Sequence, residues 1–320
     1  MERILVIGSS GQIGSELILA LRKIYGNNNV IGSGRKTVPS KAVMESGPFE
    51  FFDAVNKNDL SNACKKYDIS IIVNMAAILS GNGEKNPMLA WDVNMNGLLN
   101  VLEIAREMKM KQVLVPSSIA VFGPGTPLDR APQETVLKPT TMYGLTKVAG
   151  ELLGDYYVEK YGLDVRGLRY PGIISHETLP GGGTTDYAVA VYFEAVKNKK
   201  YECFVKEDTR LPMMYMPDCI KATIDLMQAD FSKLKHHCDF NVGAMSFSVK
   251  EIADSIKKRI PEFEITYNPD FRQAIADSWP NDVDDTAARL EWGWNPKYDL
   301  DAMTDDMLNA ITEKHKKGII

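Results

Sequence analysis

Short apolar runs alternate with amphipathic stretches over the first half of this chain. The apolar runs predict β-strands at residues 4–7, 29–31, 50–52, 71–74, 112–115 and 165–168. Between them, helical spacing of apolar residues appears in the sets Ile13/Leu17/Leu21/Ile24, Leu98/Leu102/Ala105 and Val148/Leu152/Tyr156. Strands that alternate with helices predict parallel pairing with helical crossovers. The expected fold class is therefore α/β, with a doubly wound parallel sheet.

In the second half of the chain, the predicted elements are shorter and do not alternate regularly. Turn-forming residues at 179–183 and several prolines separate shorter elements there. A strand is predicted at 213–216, and helices at 218–227, 249–259 and 301–314. We therefore expect one domain over residues 1–170 and a smaller lobe over 171–320, with some segments of the second half returning to the first domain.

The amino-acid composition and net charge argue against one class of protein, the nucleic-acid binders. The chain has 320 residues, of which 44% are hydrophobic, and it carries a formal charge of −5 with a pI near 5.5. An acidic chain is a poor nucleic-acid binder, and its one basic cluster, at residues 314–317, ends a predicted helix. We therefore expect no nucleic-acid partner.

Cysteine spacing and hydropathy indicate the compartment. The four cysteines are far apart, and none lies at metal-ligand spacing from another. No apolar run reaches about eighteen residues, and Met1 leads almost directly into a predicted strand without a leader of signal-peptide length. We expect a reduced, cytoplasmic protein without disulfides, structural zinc or a membrane partner.

A glycine-rich segment, Gly8 to Gly14, follows the first predicted strand and opens the first predicted helix. The glycines at 8, 11 and 14 allow backbone N–H groups to approach a pyrophosphate at the positive end of the helix. The alternative is an ordinary glycine-rich turn. Its position in an alternating chain favours a dinucleotide site.

Tyr143 and Lys147 are four residues apart in a helical stretch, so their side chains share one face. A phenol has a pKa of about 10, and a neighbouring ammonium favours its ionised form. The pair is thus predicted to abstract a proton from an alcohol, with a lowered phenol pKa. The alternative is a surface tyrosine beside a solvated lysine.

Ser117 and Ser118 end the strand at 112–115, where a parallel sheet presents its ligand crevice. We predict that the hydroxyl of Ser118 holds the reacting oxygen and that Ser117 supports it. The alternative is a pair of helix-capping serines.

Together the three glycines, the Asn-Met-Ala-Ala segment at 74–77, and Ser118, Tyr143 and Lys147 resemble the extended short-chain dehydrogenase/reductase family, in order and over almost the whole chain. The resemblance implies a Rossmann dinucleotide-binding domain and a C-terminal substrate lobe. It implies catalysis by Ser118, Tyr143 and Lys147. It implies cofactor contacts from Gly8, Gly11, Gln12, Ile13, Gly14, Arg35, Asp53, Ala76, Asn94, Tyr143, Lys147 and Tyr170. For Asn94, structural support of the active site is the role that the family suggests.

Two further segments indicate the substrate. Family members that act on sugar nucleotides carry an arginine for the diphosphate where this chain has Leu211, beside Arg210. The segments 168–175, 181–188, 211–215 and 277–280 instead resemble the short-chain L-threonine 3-dehydrogenases, one group within the family. This resemblance implies oxidation of threonine at C3 to 2-amino-3-oxobutanoate, with substrate contacts from Ser80, Ser118, Tyr143, Thr184, Thr185 and Trp279. The alternatives are a loop serine at 80, capping threonines at 184 and 185, and a packed tryptophan at 279.

No metal is expected. His176 and Glu177 are adjacent, but the four histidines are scattered and have no cysteine at ligand spacing. Two rival functions stay open: a sugar-nucleotide epimerase or dehydratase, which Leu211 disfavours, and a non-catalytic nucleotide sensor, which would not need Ser118, Tyr143 and Lys147 together. We expect a homodimer.

The second strand raises a question about the cofactor. Threonine dehydrogenases of this group use NAD, and an acidic residue at the end of this strand would bind the adenine ribose. Here Gly34 stands at that place, followed by Arg35 and Lys36, which together with Ser33 could receive a 2′-phosphate. Alternatively, Arg35 stacks on adenine or faces solvent and Asp53 fixes the adenine. We predict NAD, with NADP possible.

Overall fold

The computed structural model describes residues 2–179 and 181–320. Its strands are β1 (Ile4–Ile7), β2 (Val30–Gly34), β3 (Phe49–Phe51), β4 (Ile71–Asn74), β5 (Gln112–Leu114), β6 (Ser117–Ser118), β7 (Val165–Arg166), β8 (Leu168–Tyr170), β9 (Gly172–Ile174), β10 (Lys200–Cys203), β11 (Arg210–Tyr215), β12 (Phe240–Asn241), β13 (Met245–Ser248) and β14 (Glu264–Tyr267).

The α-helices are α1 (Gln12–Tyr25), α2 (Lys41–Glu45), α3 (Lys57–Tyr67), α4 (Ser80–Lys85), α5 (Pro87–Trp91), α6 (Gly97–Glu107), α7 (Met142–Tyr161), α8 (Tyr187–Lys197), α9 (Met216–Gln228), α10 (Val249–Lys257), α11 (Arg272–Ala276), α12 (Thr286–Trp292) and α13 (Leu300–Lys316). A π-helical turn, Asp92–Asn96, joins α5 to α6, and short 3₁₀ turns cover Asn27–Asn29, Ile119–Val121 and Phe231–Lys233. Within the described residues, no helix is both long and apolar enough to span a membrane.

The main sheet has six parallel strands in the order β3-β2-β1-β4-β5-β7. Helices cover both of its faces, which is why β1 and β4 are apolar runs without alternation. The order reverses between β1 and β4, and a ligand crevice opens at the carboxyl ends of the strands at such a point. The predicted α/β fold with a doubly wound parallel sheet is confirmed.

The smaller lobe surrounds a second core. Two small sheets, β9-β11-β13 and β10-β14, pack with α8, α10 and α13 around residues such as Tyr192, Met213 and Met307. Helix α9 leaves this lobe and packs against α1, so that its buried Cys219 and Leu226 lie in the core of the main sheet. The division at residue 170 stays a prediction.

The structure corrects two details of the sequence analysis. The predicted strand at 165–168 is divided between two sheets because Gly167 bonds through its N–H to the carbonyl of His237 instead of continuing the main sheet. The apolar set on α7 marks a helix as predicted, yet Leu152 and Tyr156 are 66% and 49% exposed. Of the turn-rich stretch 179–183, Pro180 lies outside the described residues.

Candidate active site

One cavity of about 220 Å³ lies between the two lobes at the carboxyl ends of the central strands. It brings together most of the residues singled out from the sequence. These are Gly8, Gly11, Gln12, Ile13, Gly14, Ser80, Ser118, Tyr143, Lys147, Tyr170, Thr184, Thr185 and Trp279. The chain therefore places a candidate dinucleotide-binding turn, a candidate proton-transfer group and a set of hydroxyls around one space.

The glycine-rich turn is tightly folded at the start of α1. The N–H of Gly11 donates to the carbonyl of Gly8 at 3.0 Å, and a Cβ on Gly14 would lie 2.3 Å from that same oxygen. The N-cap of α1 is Gly11, which has no side chain to cover the first N–H groups of the helix. These N–H groups form a cradle that suits a pyrophosphate, so the turn fits the dinucleotide that the sequence implies.

Helix α7 holds Tyr143 and Lys147 at the wall of the cavity. The side chain of Thr141 caps this helix by accepting from the N–H of Gly144 at 3.0 Å. Tyr143 is buried, and the ammonium of Lys147 donates to the carbonyl of Pro116 at 2.6 Å. The same nitrogen lies 5.5 Å from the centroid of the Tyr143 ring. The predicted sharing of one helix face is confirmed.

The electrostatics of this pair differ from the expectation. Burial raises the pKa of Tyr143 to about 12, opposed by a hydrogen bond with Ser118. Burial also lowers the pKa of Lys147 to about 8, opposed by the charge of Glu151. The prediction of a lowered phenol pKa is wrong for this structure, because loss of hydration outweighs attraction to an ammonium that is bonded to Pro116.

The two serines of β6 have different hydrogen-bond partners. The hydroxyl of Ser118 accepts from the N–H of Ala120 at 3.2 Å, so it caps the short turn that follows, and it also bonds to Tyr143. The capping role is thus seen in the structure, and the catalytic role of Ser118 stays a prediction. Ser117 instead donates to the carboxylate of Glu151. This contact favours the supporting role, which stays a prediction.

The substrate candidates meet across a large sequence separation. The hydroxyls of Ser80 and Thr184 lie 3.1 Å apart although 104 residues separate them. Asp186 fixes the second loop by accepting from the N–H groups of Gly182 and Gly183, each at 2.7 Å. Trp279 is buried in the wall beside this loop. All of the predicted substrate residues line the same cavity, and their roles stay predictions.

Both the oxygen and the nitrogen of the Asn94 side-chain amide form hydrogen bonds within the protein. Its oxygen accepts from the N–H of Ile78 at 2.8 Å, and its nitrogen donates to the carbonyl of Ile78 and to the hydroxyl of Thr146, each at 3.1 Å. These contacts favour structural support over the predicted cofactor contact. Ala76 likewise lines a smaller cavity behind Lys147, not the main one.

Two of the sequence-predicted cofactor residues lie at the edge formed by β2 and β3. Arg35, which follows β2, approaches Asp53, which follows β3, with Nη1 and Oδ2 3.6 Å apart. Both side chains are about half exposed. Neither residue lines the main cavity, and their contacts with a dinucleotide stay predictions.

Some lining residues were missed by the sequence reasoning. They are Asn74, Met75, Ala77, Leu79, Pro116, Ile119, Pro171, Gly172, Ile173, Gly183 and Asp186. Most are next in sequence to a residue that the sequence analysis singled out. Asn74, Met75 and Ala77 belong to the Asn-Met-Ala-Ala segment at 74–77. The rule that ligands bind beyond the carboxyl ends of strands could have found them.

Within the described residues, no group of three or more histidine, cysteine, aspartate or glutamate side chains is arranged to hold a metal ion. His176 pairs with Glu177, with Nδ1 and Oε1 3.0 Å apart, and Glu177 also pairs with Lys314. This cluster ties a loop to α13. Metal independence of the reaction stays a prediction.

Comparison with known proteins agrees with this geometry. Residues 4–243 match the NAD dependent epimerase/dehydratase family. An uncharacterized epimerase/dehydratase of Staphylococcus haemolyticus is 49% identical over 99% of each chain. The structure of an L-threonine dehydrogenase from Clostridium difficile is similar with a TM-score of 0.95 and 53% identity, covering 98% of each chain. A monomeric L-threonine 3-dehydrogenase from a metagenome has a TM-score of 0.93 and 47% identity, covering 97% of this chain and 99% of the other.

Proposed function

Because this chain belongs to the NAD dependent epimerase/dehydratase family, we propose that it is an L-threonine 3-dehydrogenase that oxidises the C3 hydroxyl to give 2-amino-3-oxobutanoate. The observation that carries the proposal is the likeness to threonine dehydrogenase structures over nearly the whole chain, combined with a cavity in which Tyr143 faces a set of hydroxyls. The reaction needs a base for the hydroxyl proton and an acceptor for the C3 hydride.

The chain's own residues supply the base and its geometry. Tyr143 takes the hydroxyl proton, Ser118 holds the same oxygen by a hydrogen bond, and Lys147 contributes positive charge beside the phenol. When bound, the oxidised nicotinamide accepts the hydride and adds a second positive charge to the site. Positive charge favours the phenolate, which offsets the cost of burial that raises the pKa of Tyr143.

The polar wall of the cavity suits a small zwitterion. Ser80, Thr184 and Thr185 contribute hydroxyl-bearing side chains to the lining, and Trp279 contributes a buried aromatic ring. A sugar nucleotide would need a cation for its diphosphate. Leu211 is buried in β11, and Arg210 is occupied by Glu251 at 2.5 Å and by the carbonyl of Ser246 at 2.8 Å. This arrangement disfavours the epimerase alternative.

A direct assay separates the two functions. The full-length protein with NAD is incubated either with L-threonine or with UDP-glucose, and reduced nicotinamide and epimerised sugar are measured. We expect reduction of NAD with threonine and neither product with UDP-glucose. Epimerisation of the sugar without threonine-dependent reduction would overturn the proposal.

We expect Thr185→Ala and Trp279→Ala to raise the KM for threonine by about fivefold or more, since a lost hydrogen bond or packed wall costs about 1 kcal/mol or more. Dinucleotide affinity, measured by fluorescence titration, stays near the wild-type value. Thr286→Ala is the matched control because Thr286 bonds to Asp284 away from the cavity. Unchanged threonine kinetics in both cavity variants would leave only structural roles for these residues.

We propose NAD as the cofactor in turnover. The matched family is described as NAD dependent, which supports a nicotinamide dinucleotide. Asp53 is the carboxylate at the adenosine edge, and it is partly exposed beside Arg35. It can therefore accept from an adenosine group in place of the acidic residue that β2 lacks.

We propose that two copies of the chain associate through α6 and α7. An apolar stripe is exposed on these helices, formed by Leu99, Leu145, Leu152 and Tyr156. Exposed apolar patches of this kind mark contact surfaces. The metagenome relative is described as monomeric, so association is a property to be measured on this chain.

We expect Leu152→Glu to convert a dimer into a monomer, because a carboxylate would be desolvated at the centre of the contact. Molar mass is measured by size-exclusion chromatography with light scattering. Leu290→Glu is the matched control, since Leu290 is 81% exposed on α12, outside the stripe. A wild-type mass of one chain at micromolar concentration would refute the dimer.

A further inference from the structure

We propose that the adenosine end of this site also admits a 2′-phosphate, so that the chain binds NADP as well as NAD. This inference rests on the proposed function only in assigning the crevice to a nicotinamide dinucleotide. It concerns the edge formed by Gly34, Arg35, Lys36 and Ser10, and it does not depend on which alcohol is oxidised.

The position that lacks a side chain faces the dinucleotide turn. A Cβ built on Gly34 would lie 3.0 Å from the hydroxyl oxygen of Ser10 and 3.3 Å from Cζ of Phe49. Gly34 ends β2 and follows Gly14 by about the twenty residues that separate the turn from the ribose-binding carboxylate in this fold. A carboxylate at this point would accept from the ribose 2′-hydroxyl and repel a 2′-phosphate. The chain has none there.

The backbone does not require glycine at this position. Gly34 is not among the described glycines with positive φ, so an L-residue can adopt its conformation. Two residues earlier on the same face of β2, a Cβ on Gly32 would lie 2.7 Å from side-chain carbons of Ile18 and Phe49. A side chain at 32 would therefore displace two packed side chains, whereas a side chain at 34 would need only a small shift of Ser10 and Phe49.

The residues that follow Gly34 carry hydrogen-bond donors and positive charge. Arg35 is 54% exposed and meets Asp53 through one nitrogen at 3.6 Å. A guanidinium has five N–H donors, so most of them stay available to a phosphate. Lys36 is exposed next to it. Glu50, the carboxylate within β3, is bound to Lys66 and Tyr67, which leaves Asp53 as the acidic group beside Arg35.

Ser33 does not belong to this set, which corrects the sequence analysis. Its hydroxyl is buried, and no partner for it is found within the described residues. Side chains alternate along a strand, so Ser33 points to the face opposite Gly32 and Gly34. Ser10, which is only partly buried, is the hydroxyl nearest to the position that a Cβ on Gly34 would occupy.

Two adenosine probes that differ only in the 2′-phosphate test the proposal. Isothermal titration of the full-length protein gives the Kd values of 5′-AMP and of adenosine 2′,5′-bisphosphate, without substrate or turnover. We expect the bisphosphate to bind wild type at least as tightly as 5′-AMP. We expect Arg35→Ala to weaken the bisphosphate by about tenfold or more, with little effect on 5′-AMP.

The matched variants Gly34→Asp and Gly34→Asn separate charge from size. Both side chains displace Ser10 equally, but only the aspartate repels the phosphate, so Gly34→Asp alone should disfavour the bisphosphate. A bisphosphate that binds wild type tenfold more weakly than 5′-AMP would overturn the proposal, as would equal losses in both variants. A protein that binds both probes yet does not oxidise threonine would refute the proposed reaction and leave this inference standing.

Discussion

Tyr143→Phe is expected to lower turnover of threonine by at least about a hundredfold, the contribution typical of a general base. The phenol hydroxyl lies in the cavity with Ser118, and its loss removes the proton acceptor without changing the wall around the dinucleotide turn. The Kd for NAD should therefore stay near that of the wild type. Single-turnover kinetics and a fluorescence titration measure the two quantities on the same preparation.

A second buried tyrosine provides the control for this variant. Tyr187 is fully buried in the smaller lobe, and its hydroxyl has no hydrogen-bond partner within the described residues. Tyr187→Phe removes the same atom from a comparably buried ring and should leave turnover within about twofold. If Tyr143→Phe keeps more than about a tenth of wild-type activity, Tyr143 is not the base.

The largest expected effect on stability comes from Arg169. Its guanidinium is buried and donates to both oxygens of Glu151, at 2.9 and 2.8 Å, to the carbonyl of Gln133 and to the side chain of Asn241. Breaking a buried ion pair from one side leaves an uncompensated charge and costs about 3–5 kcal/mol. We expect Arg169→Met to lower the free energy of unfolding by about that amount.

An ion pair of the same chemistry whose arginine is partly exposed calibrates this measurement. Arg289 meets Asp285 at 2.8 Å on α12, but its side chain is 45% exposed, so Arg289→Met should cost less than about 1 kcal/mol. Urea denaturation followed by circular dichroism gives both values. Similar losses in the two variants would show that the buried network does not hold the core behind Lys147.

That network links the candidate active site to residues away from the cavity. Glu151 lies four residues beyond Lys147 on α7 and accepts from Ser117 of β6. Arg169 of β8 fixes Glu151 in turn. The helix that carries Tyr143 and the strand that carries Ser118 are thus joined through a charge that cannot move without breaking a buried pair.

Several features of the protein could be predicted from the sequence because they arise locally. The bounds of β1 and β4 followed from buried apolar runs, and α1 followed from a helical period after a glycine turn. The pairing of Tyr143 with Lys147 on one face needed only the geometry of a helix. Boundaries were poorer where a long-range contact decides them, as at Gly167, whose N–H bonds to His237.

In the candidate site, too, some features follow from local sequence and others depend on long-range contacts. The sequence by itself determined the residue types that carry the chemistry, the α/β class and the glycine at 34, because periodicity and turn chemistry act over a few residues. Only the tertiary structure decided three other features. The hydroxyls of Ser80 and Thr184 lie within hydrogen-bond distance, Ser117 donates to Glu151, and burial raises the pKa of Tyr143. These outcomes depend on how much water is excluded and on which distant groups come within hydrogen-bond distance. Those quantities belong to the folded chain, because the spacing of residues along the sequence does not contain them.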